Sequence, residues 1–192
     1  MTLNIKDKPK DGFERVVYAE EDKFNFCSVI AIHNTKRGPA LGGCRYFNYK
    51  DLNKQEEDVL KLAEAMTYKN SLAELPFGGG KATIHSKINK KDAYSLFGEV
   101  LNKLNGTYIT AGDMGTVDED LRGFREYSDH VCNPIGSDSG LGTALGVYYS
   151  MLGCVEFKFG QDSLVNKNIF IKGYGKTGSR IASLCKKDGA NI

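Results

Sequence analysis

The 192-residue sequence has no apolar run approaching the ~20 residues that a membrane-spanning helix needs. Its first residues, MTLNIKDKPKDGFERV, form no apolar leader, so a cytoplasmic protein without a membrane partner is expected. An excess of one charge is also lacking. Lys+Arg 26 stand against Asp+Glu 24, a net charge of +2 with no basic stripe, which excludes a strongly basic nucleic-acid binder. There is no CxxC pair. The cysteines, Cys27, Cys44, Cys132, Cys154 and Cys185, are odd in number and widely spaced, as expected of free thiols in a reducing compartment. His33, His85 and His130 are isolated, so no metal site is expected. Proline is scarce at 4 while glycine reaches 22, so the glycine excess is not that of a low-complexity linker. Ten Phe and ten Tyr exclude disorder. The length fits one domain, or one domain and the start of another.

What is present reads as alternating strands and helices. Residues 13–19 and 27–33 (CSVIAIH) have strand composition, and Lys36-Arg37-Gly38-Pro39 breaks the pattern. From about Asn53, Val59, Leu62, Met66 and Lys69 recur at helical spacing, predicting a helix with that stripe buried. A short strand at 81–85 follows, then a helix over 91–104, a strand at 108–110, and helices over 118–127 and 142–159. The composition turns polar at 159–167 (FGQDSLVNK), and a strand at 168–171 (NIFI) leads into a helix at 179–185. This is an α/β protein, with a first domain over 1–160 and the incomplete opening of a second over 161–192.

Glycines cluster at Gly42-Gly43, at Gly78-Gly79-Gly80, from Gly136 to Gly146, and at Gly173, Gly175 and Gly178. A phosphate-binding loop of the GxxxxGK[ST] kind is excluded. Gly80-Lys81 has Leu75 and Ala82 at the required positions, and Gly175-Lys176-Thr177 has Phe170 upstream. Gly173-Tyr174-Gly175-Lys176-Thr177-Gly178 does satisfy GxGxxG between an apolar strand and a helix, the context for a dinucleotide pyrophosphate at a helix N-terminus. The acidic residue about 20 positions further on that accompanies this fingerprint falls at or beyond the end of the sequence. Lys69, on an apolar stripe, is either a helix-terminal lysine reaching water or a cation for an anionic ligand. Lys81, after three glycines and before an apolar strand, is either an exposed turn lysine or an amine desolvated enough for acid/base work. Asp113, between Gly112 and Met114-Gly115 at a strand end, is either a turn residue or a catalytic carboxylate.

Together these segments resemble the glutamate/leucine/phenylalanine/valine dehydrogenase family. The resemblance is carried by GPALGGCRY (38–46), LAEAMTYKNSLAELPFGGGKATI (62–84), NGTYITAGDMGT (105–116), GTALGV (142–147) and IKGYGKTG (171–178). Leu41 stands where glutamate dehydrogenases tend to have a lysine for the side-chain carboxylate, so the leucine/phenylalanine/valine branch is the better match. The sequence departs from the family in Leu141, where a proline is usual, and in AGDMG for AEDVG, with the Asp kept.

The resemblance implies a substrate-binding and dimerisation domain followed by the first βα unit of a Rossmann domain. It implies reversible NAD-dependent deamination of an apolar L-amino acid to its 2-oxo acid and ammonia, with NADP as the alternative cofactor, and a homo-oligomer. By resemblance Lys69 holds the α-carboxylate, Lys81 is the acid/base, and Asp113 assists proton transfer. Leu41, Gly42, Gly43 and Met66 line the substrate, Thr143 lies near the nicotinamide, and Gly173, Tyr174, Gly175, Lys176, Thr177 and Gly178 hold the pyrophosphate. The stretch of 192 residues alone is expected to be inactive. The other reading is a catalytically silent domain of that ancestry, binding amino acids or dimerising.

Overall fold

A computed structural model describes residues 3–132 and 139–192, so Gly136 of the third glycine cluster lies outside the described residues. The chain divides by packing into two compact units, Met1–Pro134 and Ile135–Ile192. The division falls before the long helix over 139–159, whereas the composition shift at 159–167 falls after it.

The first unit is built on a six-stranded sheet. Its elements are β1 (Asn4–Asp7), β2 (Arg15–Glu21), β3 (Phe26–Asn34), β4 (Ala40–Phe47), α1 (Leu52–Leu72), β5 (Gly78–His85), α2 (Lys90–Lys103), β6 (Tyr108–Gly112) and α3 (Asp118–Arg125). The strand order is β1-β2-β3-β5-β4-β6. The pairs from β1 through β3 to β5 are antiparallel, and β4 is parallel to both β5 and β6. Parallel neighbours need crossovers, and α1 and α2 supply them.

Strand side chains alternate between faces, and here both faces are covered. Val16, Tyr18, Val29 and Ala31 meet Val59 and Ala63 of α1. Val17, Ala19, Ile30, Ile32, Ala82 and Ile84 meet Phe97, Val100 and Leu101 of α2 and Leu121 and Phe124 of α3. Burial on both faces is why residues 27–33 read as an unbroken apolar run.

The sheet corrects the sequence reading in three places. The break at 36–39 is a turn, but the central strand β4 that directly follows it is missing from the sequence reading, and β5 starts at Gly78, three residues before the expected strand. Glycine disfavours strands, but here the packing demands it. A Cβ on Gly42 would fall well inside contact distance of the Gly80 carbonyl oxygen, and one on Gly79 would overlap the Thr67 backbone N and Oγ1 of α1. The third correction concerns α1. Its buried residues are Gln55, Val59, Ala63 and Asn70. Leu62 and Met66 are half-buried, and Lys69 is exposed. The stripe misled because two polar residues face the sheet. Gln55 Nε2 donates to Thr83 Oγ1 at 3.2 Å, and Asn70 Nδ2 donates to the carbonyls of Gly78 (2.6 Å) and Leu41 (3.2 Å).

Caps fix the helix starts. Asp51 accepts from Lys54 N and Asn89 from Lys91 N, each at 2.9 Å. Buried Asp120 accepts from Val117 N, Lys90 Nζ and Tyr94 Oη, all at 2.8 Å, tying α3 to α2. Asp120→Ala strands these donors and is expected to destabilise the unit by about 3 kcal/mol. Urea unfolding measures this, and a loss under about 1 kcal/mol would contradict it.

In the second unit α4 (Ser139–Phe159) packs against α5 (Gly178–Lys187). The expected strand at 168–171 is represented by a single parallel bridge between Asn168 and Asn191. Among the described residues no helix is long and apolar enough to cross a membrane.

Candidate active site

The α1-covered face of the sheet carries Leu41, Gly43 and Arg45 on β4 and Gly79, Lys81 and Thr83 on β5, by strand alternation. Helix α1 lies mainly over β3 and β5. Beside it Leu41, Ile109, Ala111 and Asp113 are left half-exposed, a floor open to a ligand.

Lys81 is the buried lysine of this floor, its side chain 7% exposed, with Nζ 3.2 Å from Asp113 Oδ2. A cation taken out of water needs a counter-charge, and Asp113 provides it from the loop just after β6. Of the two sequence readings, an exposed turn lysine or a desolvated amine, the structure shows a buried amine, and it adds the ion pair. That loop is tightly held. Thr116 Oγ1 donates to the Cys44 carbonyl at 2.7 Å and accepts from Asp113 N at 2.8 Å, and Tyr46 N donates to the Met114 carbonyl at 3.0 Å. Gly115 has φ +79°, and a Cβ there would overlap the Tyr46 carbonyl. Glycine is therefore required at that position of AGDMG.

Arg45 completes the cluster. Its Nε donates to Asp113 Oδ2 at 2.9 Å, and Nη1 donates to both carboxylate oxygens of Asp58 on α1, at 2.9 and 3.1 Å. Tyr49 Oη donates to Asp58 Oδ2 at 2.7 Å. Two cations thus face two carboxylates. Burial pushes the Asp113 carboxyl up. The Lys81 charge, the Met114 N–H and the Arg45 guanidinium outweigh it and hold the carboxyl below the usual carboxylate range. Burial raises the Cys44 thiol well above its ordinary value, so this cysteine stays protonated behind the pair.

A carboxyl depressed only in the folded state adds stability above its unfolded pKa, about 4. That stability is lost as pH falls through the lower, folded pKa. Asp113→Asn is therefore expected to flatten the acid limb of the stability profile, followed by urea unfolding at a series of pH values. An acid limb as steep as in the parent chain would contradict this pairing.

The structure brings Lys81, Asp113 and Gly43 together; a Cβ on Gly43 would lie 2.8 Å from the Asp113 Cβ and 2.6 Å from the Gly112 carbonyl. Gly42 and Gly43 are thus required by the protein's own backbone, before any ligand is considered. Leu41 is joined to α1 through Asn70, the neighbour of Lys69. Lys69 lies in the last turn of α1, eleven residues after Asp58, and at 3.6 residues per turn the two share one side of the helix. Met66 is half-buried on α1 one turn before Asn70. Sequence reasoning missed Arg45, Asp58, Tyr49 and Thr116. Arg45 and Thr116 lay inside quoted family stretches, while Asp58 looked like any helix-surface acid.

The GxGxxG residues belong to the second unit. Gly173 has φ +98°, and a Cβ on Gly178 would overlap the Gly173 carbonyl, so both serve the turn itself. A Cβ on Gly175 meets nothing within 4 Å, and the α5 N-cap Thr177 makes no side-chain capping bond. An open backbone before a helix N-terminus without a side-chain cap fits a pyrophosphate. Tyr174 and Lys176 are exposed on this turn. Thr143 lines an apolar cavity of about 700 Å³ with Val147, Met151 and Ile169. Among the described residues no group of His, Cys, Asp and Glu could hold a metal ion.

Residues 14–129 match the Glu/Leu/Phe/Val dehydrogenase dimerisation domain. A phenylalanine dehydrogenase from Lysinibacillus sphaericus is 38% identical over 93% of this chain and 49% of its own length. A leucine dehydrogenase from Bacillus subtilis is 37% identical over 98% and 54%. The crystal structure of L-tryptophan dehydrogenase from Nostoc punctiforme superposes with a TM-score of 0.69 at 28% identity, over 93% of this chain and 52% of that one. The chain thus spans about half the length of the curated relatives it matches. The matched region holds the whole sheet from β2 to β6 and the Lys81–Asp113 pair built on it, and by that match the chain belongs to the Glu/Leu/Phe/Val dehydrogenase family.

Proposed function

We propose that the protein is an NAD-dependent dehydrogenase of apolar L-amino acids, acting as a homo-oligomer, and that this chain carries its substrate and acid/base residues. The observation that carries the reading is the Lys81–Asp113 pair, largely buried on a floor that is open beside it. A buried amine against a carboxylate can pass a proton without passing a free charge to solvent. Lys81 Nζ is placed to move the proton of water or amine as the Cα–N bond is converted, and Asp113 holds the ammonium form and exchanges that proton. Lys69, exposed and with no ion pair among the described residues, would supply a cation for the α-carboxylate. Leu41 and Met66 offer apolar surface and no partner for a second carboxylate, whose burial unpaired would be costly. This disfavours glutamate.

When bound, NAD supplies the acceptor for the Cα hydride. Gly173, Gly175 and Gly178, with Tyr174, Lys176 and Thr177 between them, would hold its pyrophosphate, and Thr143 would meet the nicotinamide. The test uses the protein as its own cells make it, with NAD and L-leucine, L-valine, L-phenylalanine or L-glutamate, and follows NADH absorbance. Turnover with the apolar amino acids and little with glutamate is expected. No turnover with any L-amino acid would overturn the reading and leave binding or dimerisation as the protein's work.

A further inference from the structure

The Lys81–Asp113 pair is not free to choose its own geometry. Asp113 Oδ2 is shared by Lys81 Nζ at 3.2 Å and Arg45 Nε at 2.9 Å. Arg45 is itself fixed from the far side, where Asp58 accepts two bonds from its Nη1 and Tyr49 Oη binds Asp58 at 2.7 Å. The Arg45 side chain is 18% exposed and that of Asp58 29%, so both are partly withdrawn from water, where charge-assisted bonds are stronger than on an open surface. Asp58 sits on α1, the helix that also carries Lys69, whereas Asp113 sits on the loop after β6. One guanidinium from β4 therefore bridges the two elements. A planar fork can satisfy two carboxylates in fixed directions, which an ammonium cannot.

We propose that Arg45 is a positioning residue for the Lys81–Asp113 pair, oriented by Asp58 and Tyr49, and that it aligns the Asp113 loop with the helix bearing Lys69. The proposal rests on the reading of Lys81 and Asp113 as the reacting groups. The charged and titratable groups around Asp113 among the described residues are Lys81 from β5, Arg45 and Cys44 from β4, Tyr49 just after β4, Tyr108 from β6, and Asp58 from α1. Of the two cations, Arg45 keeps its charge at any accessible pH. It therefore keeps Asp113 anchored both when Lys81 carries its proton and when that proton has been passed on.

The test has two arms. In the first, the Asp113 carboxyl is titrated by carbon-13 NMR in the 192-residue chain, which needs no turnover. Arg45→Gln is expected to raise its midpoint by about one pH unit, as loss of an adjacent cation does, and Arg45→Lys to restore most of that change. In the second, kinetics of the protein as its cells make it are compared with those of Arg45→Lys and Tyr49→Phe. Arg45→Lys keeps the charge and loses the fork, so kcat is expected to fall about tenfold or more with KM within about twofold, the pattern of an interaction needed in the transition state. Tyr49→Phe removes one hydroxyl and is expected to lower kcat about fivefold, the effect of one hydrogen bond.

An Asp113 midpoint unmoved in Arg45→Gln would overturn the proposal. So would parental kcat in both Arg45→Lys and Tyr49→Phe, which also serve if Arg45→Gln does not fold. A parent protein inactive toward every amino acid would overturn the functional reading, and with it any catalytic role for Arg45. A shifted midpoint would then support only the ion-pair geometry.

Discussion

Lys81→Ala is expected to reduce amino-acid turnover by about a thousandfold, the scale of a lost proton-transfer group, while dinucleotide affinity is kept. The amine is buried and faces a carboxylate at 3.2 Å, and among the described residues no other lysine pairs with Asp113. Truncation leaves Asp113 paired with Arg45 at 2.9 Å, so the carboxylate is not stranded and the sheet should persist. That separates chemistry from folding. Turnover numbers and calorimetric NAD binding on the same preparation provide the check. A variant with parental kcat would remove Lys81 from the mechanism. A variant that loses turnover together with its fold would be compared with Lys81→Met, which keeps the stem's apolar contacts. Lys69→Ala, by contrast, should raise KM as well as lower kcat, because an exposed cation acts mainly on binding.

Gly42→Ala and Gly79→Ala should prevent the first unit from folding normally. In each, the added methyl would overlap the protein's own backbone, at the Gly80 carbonyl for one and at Thr67 for the other. Backbone in a central strand and a helix lying on it cannot yield as a flexible side chain can, so the cost is expected at or above about 3 kcal/mol, the upper end for overpacking. Gly175→Ala is the contrasting case. Its methyl meets nothing within 4 Å, so stability should stay within about 0.5 kcal/mol of the parent, as for an exposed site, while NAD binding weakens. Thermal unfolding with and without NAD distinguishes the three. Normal folding of Gly42→Ala would contradict the close strand pairing, and unaltered NAD affinity in Gly175→Ala would contradict the pyrophosphate assignment.

These glycines also show why one part of the fold was hard to read locally. Gly78, Gly79 and Gly80 resemble a flexible turn, and Gly42 and Gly43 hide β4 after the break at 36–39, because glycine has no side chain with which to signal a strand. Their role arises from what lies opposite, which sequence order does not contain. Helix α1 poses the same difficulty in another form. Apolar periodicity located the helix but chose a stripe displaced from the buried side, since Gln55 and Asn70 are buried through hydrogen bonds to Thr83, Gly78 and Leu41. Polar residues carry no apolar signal even when they face a core.

The sequence by itself determined the family and the alternation of strands and helices. It also marked Lys81 and Asp113 as candidates. These depend on local spacing and on short stretches whose residue order is specific. Tertiary structure alone decided that Lys81 is buried and paired rather than exposed, that Lys69 is exposed, and that Arg45 joins Asp113 to Asp58. Each is a contact between residues 13 to 68 positions apart or a matter of which helix side meets the sheet. Charges that far apart in the chain become neighbours only when β5, β4 and β6 lie side by side with α1 along one edge of that floor, and their electrostatics follow from that placement.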